Sequence, residues 1–218
     1  MFNVIRKQPA PSSLNAQKSY SGEDVHIALK DCFHDKCYLC ETKRPLDINI
    51  EHFIPHEGDK NLEFSWNNLY YACSRCNNIK LNKYKNLLDC CANQPVWDKI
   101  KLLPSFSPVP KSLIIEPQYT DSKTVETAEL LADIYNNDNT INKKMTAKNL
   151  RINVVKTTHK LMKHMITYHD DDSTDTEKQT ALEKIKVMIN RNYPYSAFCR
   201  WMIKEDDVLD SLLSSYMD

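Results

Sequence analysis

The chain has 218 residues, 41% hydrophobic and 27% charged, with 29 basic residues balanced by 29 acidic ones. That length allows one sizeable core, or a small domain plus a helical lobe, and the charge balance excludes a protein that clamps nucleic acid through a general basic excess. No apolar run reaches the roughly 18 residues of a membrane helix and no secretory signal core opens the chain, so a cytoplasmic protein with no membrane contact is expected.

Residues 1–20, with Pro9, Ala10, Pro11, Ser12 and Ser13, read as an extended arm. Ser21 stands where it can cap a helix whose Val25, Ala28, Leu29 and Cys32 recur at i, i+3, i+4 and i+7. Residues 47–54 alternate in part, through Ile48, Ile50 and Ile54, and suit a strand that stops at Pro55. His56 to Asn61 is loop chemistry, with Gly58, one of only two glycines, available for a positive φ. Leu69 to Ala72 reads as a second strand and Cys76 to about Tyr84 as a short helix. The segment 21–94 is thus expected to be a compact ββα unit.

Residues 95–120 carry Pro95, Pro104, Pro108, Pro110 and Pro117 and read as an irregular connector. A mostly α-helical lobe is expected over 121–218. Its apolar faces run through Val125, Ala128, Leu131 and Ile134, then Leu150, Val154, Leu161 and Met165. Leu182, Ile185 and either Met188 or Ile189 form a third face, and Val208, Leu209, Leu212 and Leu213 a fourth. The fold class is therefore α+β.

Cys37 with Cys40, and Cys73 with Cys76, form two Cys-x-x-Cys knuckles, the spacing of a structural four-thiolate zinc site. Four protein ligands complete the tetrahedron, so zinc there holds the fold together and has no open position for catalysis. Binding in such sites is worth about 10–16 kcal/mol. The competing reading is four unligated core cysteines. Cys32 and Cys199 read as small core residues, and the adjacent Cys90 and Cys91 as buried packing rather than a redox pair.

Glu51 and His52 lie between the knuckles, and Asn77 and Lys80 just after the second. Phosphodiester hydrolysis needs an activated water and a cation to absorb developing charge. A neutral imidazole suits the first task, which makes His52 the candidate general base. Carboxylate and amide oxygens are hard ligands for Mg²⁺ or Mn²⁺, which makes Glu51 and Asn77 the candidate ligands. A regular strand turns Glu51 and His52 to opposite faces, so both serve one site only if the strand distorts near Pro55.

Blander readings stand beside these. His52 alone would read as a packed strand histidine, and the surrounding knuckles shift the balance. His56 reads as a solvent-facing loop histidine ahead of a phosphate contact or an aid to the metal. Trp66, Tyr70 and Tyr71 read as packing ahead of base stacking. The stretch from His169 to Ser173 reads as an interhelical loop rather than a metal site. From Ser65 to Leu88 there is no acidic residue, and Arg75, Lys80, Lys83 and Lys85 form one small basic patch. Glu205, Asp206, Asp207, Asp210 and Asp218 make the C-terminus acidic. With no basic clamp elsewhere, a partner that holds the substrate is implied.

The pattern Cys-x-x-Cys, Glu-His-x-x-Pro, Asn-Leu, Cys-x-x-Cys-Asn-x-x-Lys resembles the HNH nucleases, whose fold is a ββα-metal unit. Further stretches, CYLCE, IEHFIPH, WNNLYYACSRCNNIK, VETAELLADIYN and YPYSAFCRWMI, resemble the HNH subunit of Septu-type anti-phage systems, which also accompanies some retrons. The resemblance touches nearly the whole chain and is specific in the motif region. It implies His52 as general base and Glu51, in place of the usual Asp, as a metal ligand. Asn68 takes the central position that orders the base-aiming loop, Asn77 stands in for a final His, and Lys80 meets phosphate. It also implies a hetero-oligomer with an ATPase of the ABC/SMC-like class. DNA is the favoured substrate, with cleavage leaving 5′-phosphate ends. An RNase acting on tRNA, or a zinc-stabilised binding adaptor that no longer cuts, are the alternatives.

Overall fold

A computed structural model describes residues 1–81, 83–138 and 146–217; Asp218 of the acidic tail lies outside them. The chain opens with an irregular arm interrupted by one turn of helix, α1 (Ser12–Asn15). The arm is packed inward: Phe2, Val4 and Leu14 are buried. Arg6 donates to the Leu69 carbonyl at 2.7 Å with its guanidinium over the Tyr70 ring, and Trp66 donates its indole N–H to the Lys7 carbonyl at 3.1 Å.

Helix α2 (Glu23–Cys32) buries Val25, Leu29 and Cys32, the spacing expected. Its cap differs: Gly22, not Ser21, is the N-cap, and no side chain caps the helix. Asp24 instead accepts from the Ser13 amide at 3.0 Å and the Ser13 hydroxyl at 2.6 Å, tying the arm to the helix start. A Cβ at Gly22 would come within 2.8 Å of the Asp24 carboxylate, which explains a glycine there.

Strands β1 (Ile48–His52) and β2 (Leu69–Cys73) pair antiparallel, with Glu51 opposite Tyr70 and His52 opposite Leu69. Between them lies the one-turn α3 (Lys60–Glu63). Helix α4 (Ser74–Lys80) follows β2 directly and stops short of Tyr84, because Leu81 takes φ of +37°. This is the expected ββα order. All five residues of β2 are buried, which places the strand inside the core rather than on its surface.

The proline-rich stretch is not irregular throughout. It forms a hairpin of β3 (Ile100–Leu103) and β4 (Ile114–Pro117), with Pro104, Pro108 and Pro110 in the connecting loop. Only Pro117 enters a strand, at its end, where a missing N–H costs the ladder least. Helices α5 (Ser122–Asn136), α6 (Ala147–His169) and α7 (Asp175–Ile189) start at side-chain caps from Asp121, Thr146 and Thr174. The expected apolar faces hold in outline, although Val125 and Met165 are only half-buried. Helix α8 (Ser196–Lys204) was not expected; Ser196 through Ile203 are all buried, including the polar Ser196 and Arg200. In α9 (Asp207–Leu213) Leu209 and Leu213 are buried while Val208 and Leu212 are exposed.

Residue 121 does not separate two cores. One continuous cluster joins Phe2, Val25, Cys37 and Tyr70 to Leu131, Ile134, Tyr135, Val154 and Phe198. A second cluster gathers Trp97, Leu161, Ile185, Ile203 and Leu213. The first half of α6 thus belongs to the core around the cysteines, and the second half to the C-terminal helices. Buried polar groups cross the expected boundary as well. Tyr135 donates its hydroxyl to the Cys40 carbonyl at 2.8 Å. Lys36 pairs with Glu41 at 3.0 Å and donates to the Arg191 and Tyr193 carbonyls, each at 2.8 Å. Burial alone would raise the Glu41 carboxyl, but the Lys36 ammonium beside it brings it down to about 2. Burial draws Lys36 down to about 8.

Candidate functional site

The first knuckle lies in the loop after α2, and the second joins β2 to α4. The antiparallel pairing brings that junction back beside the loop, where the Tyr38 amide donates to the Tyr71 carbonyl at 3.0 Å. The four sulfurs of Cys37, Cys40, Cys73 and Cys76 all lie within 4.8 Å of one another and are buried; Cys40 Sγ and Cys73 Sγ are 3.9 Å apart. Sulfurs about 2.3 Å from a tetrahedral zinc are spaced by nearly that distance. Burial pushes the Cys37 and Cys76 thiols up, while hydrogen bonds from neighbouring sulfurs, Cys37 foremost, bring Cys40 down. Several thiolates packed this closely repel one another, and a divalent cation at their centre removes the conflict. This cluster can hold a metal ion, and its donor set fits zinc.

His52 ends β1 and is half-buried. Its Nε2–H donates to the Glu63 carbonyl at 3.0 Å, which puts the lone pair on Nδ1, where no donor meets it among the described residues. Burial lowers its pKa, the Glu63 carbonyl opposes that, and His56 lowers it further. The ring is therefore neutral at neutral pH. Asn68 sets the Glu63 carbonyl in place through the intervening loop. Its side chain accepts from the Ile54 amide at 2.8 Å and donates to the Ile54 and Leu62 carbonyls at 2.8 and 3.1 Å. The amide thus fastens both ends of the loop that carries the partner of the imidazole.

The strand stays regular through His52, so Glu51 and His52 do not share a face. Glu51 is 4% exposed, with the Lys80 ammonium 2.7 Å from its carboxylate. Burial raises its pKa, against the opposing pull of Lys80 and of the Tyr38 hydroxyl. Lys80 is itself 1% exposed and donates to the Phe53 carbonyl at 3.0 Å. Lys80 thus pairs inside the fold, and Glu51 lies on the strand face opposite His52. Asn77 is half-buried one turn before Lys80 on α4. An ion at Glu51 would share the carboxylate with the buried Lys80 ammonium, which lies against Oε1.

The basic patch is also smaller than its sequence suggests. Arg75 is buried, leaving Lys83 and Lys85 exposed, and these pair with Asp133 and Glu57. Trp66, Tyr70 and Tyr71 are buried and pack, as expected, and Cys32, Cys90 and Cys199 are buried core residues. His56 is not simply solvent-facing: its ring centroid is 4.6 Å from that of His52. Tyr20, from the arm, packs its ring at 4.8 Å from His52. Sequence reading missed Tyr20 and the Glu63 carbonyl, since neither a distant tyrosine nor a backbone oxygen leaves a motif.

No family model matches the chain, and no solved structure matches it. Two curated proteins do. Septu protein PtuB of Bacillus thuringiensis is 34% identical over 59 residues, covering 26% of this chain and 23% of that protein. Septu protein PtuB of Bacillus mycoides (strain KBAB4) is 34% identical over 82 residues, covering 31% of this chain and 28% of that protein. The chain spans about a quarter of the length of the curated relatives it matches. It is thus related, over part of its length, to Septu PtuB proteins. Among the described residues no helix is long and apolar enough to cross a membrane.

Proposed function

We propose that this protein is an HNH-type endonuclease acting as the effector subunit of a Septu-like anti-phage complex. The observation that carries the reading is the imidazole of His52, neutral, half-buried, and held by a backbone carbonyl that puts its lone pair on Nδ1. It stands on a ββα unit whose base gathers four cysteines. In hydrolysis His52 Nδ1 takes the proton of the attacking water, and Asn68 keeps the loop that orients it. Bound zinc would supply folding energy at the four cysteines and no chemistry. Kinship with PtuB proteins supports membership of a defence complex. The small basic surface supports a partner, an ABC/SMC-like ATPase, that brings the substrate, with DNA favoured.

The test is a cleavage assay on plasmid, linear DNA and tRNA, with and without an ABC/SMC-like ATPase from a Septu system, in Mg²⁺, Mn²⁺ and chelator. Cleavage by wild type that His52→Ala abolishes, with zinc content unchanged, supports the reading. Cleavage of tRNA alone reassigns the substrate. Absence of cleavage under every condition removes the enzymatic reading and leaves a binding adaptor.

A further inference from the structure

The turn after β1 gives the site a second imidazole. His56 opens a four-residue turn in which the Asp59 amide donates to the His56 carbonyl at 2.7 Å. Its two central residues, Glu57 and Gly58, take φ of +46° and +92°. Two left-handed central residues define a type I′ turn. Gly58 adopts this freely, whereas Glu57 is an L residue in a region it seldom enters. Two contacts hold the turn: Lys85 reaches within 3.5 Å of the Glu57 carboxylate, and Asp59 caps α3 through the Asn61 amide at 2.8 Å. The result is that the His56 and His52 rings lie side by side, with Tyr20 packed against both.

Hydrogen bonds decide what each ring offers. His52 gives its Nε2–H to Glu63, so its other nitrogen is an acceptor. His56 accepts at Nδ1 from the Gly58 amide at 3.3 Å, which in the neutral ring puts the proton on Nε2. Adjacent rings therefore present a lone pair and an N–H.

We infer that His56 is a catalytic residue of this site. Its Nε2–H donates to a non-bridging oxygen of the phosphate whose attacking water gives its proton to His52. The inference rests on the nuclease reading above. In that step the water oxygen bonds to phosphorus and the bond from phosphorus to the leaving sugar oxygen breaks. The water proton passes to His52 Nδ1, and the leaving oxygen takes a proton from solvent. His56 keeps its own proton throughout and acts as a fixed dipole aimed at the charge that grows on the phosphate.

Two experiments test this on the full chain. With ¹⁵N-histidine labelling, long-range proton–nitrogen spectra should show both His52 and His56 protonated on Nε2; a proton on Nδ1 of His56 overturns the proposal whatever the activity. Single-turnover cleavage of the substrate that wild type cuts should fall about 10²-fold in His56→Ala, the typical loss of one such donor. His56→Gln, whose amide N–H reaches the Nε2 position, should recover most of that rate, and His56→Asn, whose amide falls short, should not. Circular dichroism and zinc content check that the variants fold. If His52→Ala is inactive while His56→Ala stays within twofold of wild type, this inference fails and the nuclease reading stands. If Gln is as poor as Ala, the neutral-donor role is wrong. A wild-type chain that cuts no nucleic acid removes both.

Discussion

The His52 imidazole and the Glu63 carbonyl are 3.0 Å apart, and this one hydrogen bond decides which ring nitrogen can act as a base. It pins the proton on Nε2 and leaves the lone pair on Nδ1. Burial, only partly opposed by that carbonyl, also lowers the pKa below the ordinary imidazole value of about 6.5. A base works when neutral, so activity is lost as pH falls through its pKa. The acid limb of kcat/KM should therefore lie below pH 6.5. His52→Ala should lower the rate roughly 10²- to 10⁴-fold. An acid limb above the ordinary value would show that another group is the base.

Asn68 is expected to matter through geometry alone. Its side chain makes three hydrogen bonds that fasten Ile54 to Leu62. Asn68→Ala strands the Ile54 and Leu62 groups, each worth about 1–3 kcal/mol when left buried and unpaired. The Glu63 carbonyl then loses its fixed position. Cleavage should fall by at least about tenfold, as a displaced base predicts, with zinc content unchanged. Wild-type cleavage in a variant of lowered melting temperature would show that the loop does not aim the base.

The Glu51–Lys80 pair yields a test that separates a structural role from a ligand role. Removing one partner of a buried pair leaves the other charge uncompensated and costs about 3–5 kcal/mol. Glu51→Gln and Lys80→Met should each lower the melting temperature sharply. The double variant should be more stable than Glu51→Gln alone, since no lone charge remains. If Glu51→Gln folds like wild type and loses only metal-dependent cleavage, the carboxylate serves an ion after all, and the ion pair seen here is one of two arrangements.

Much of the ββα unit was legible because it depends on local rules. The Cys-x-x-Cys spacing brings two sulfurs together in each turn, and the pairing of β1 with β2 brings the turns together. The period of two along a strand foretold that Glu51 and His52 would face apart unless the strand bent, and it did not bend. The partner of Glu51 was not legible, because Lys80 reaches it from the next helix and only tertiary packing makes that pair. The same holds for Arg75 and Lys80, which a linear reading places in an exposed basic patch and the fold buries. Helix α8 escaped because it is only nine residues long and its polar residues Ser196 and Arg200 are buried by the fold, which no linear reading shows. The prolines of 95–120 marked turns correctly but hid the strands between them.

Cys73→Ser should remove one sulfur from the four-cysteine cluster and with it stoichiometric zinc. In units of this kind metal affinity is folding energy, so the melting temperature should fall strongly. A metal-free preparation that melts like wild type would show that the four buried cysteines pack without an ion.

The expected boundary at residue 121 leads to a different outcome from the one its sequence suggests. A zinc-bearing unit ending at Thr120 would lose α5 and α8, and both lie on the core around the cysteines. Leu130, Leu131, Ile134 and Tyr135 are buried in the same cluster as Leu29, Cys37 and Tyr70. Burial of each large apolar side chain is worth about 1.5–3 kcal/mol, so their loss is comparable with a whole domain's stability. The truncation also removes the hydroxyl of Tyr135 from the Cys40 carbonyl. Lys36 loses the Arg191 and Tyr193 carbonyls and the Ser196 hydroxyl, leaving it with Glu41 in an opened site. The chain 1–120 should therefore bind zinc below one atom per chain, lack a cooperative melt and fail to cut, as metal analysis, thermal unfolding and the cleavage assay would each show. A soluble 1–120 fragment with full zinc and a sharp transition would mean that the ββα unit is self-sufficient and that α5 and α8 only lean on it.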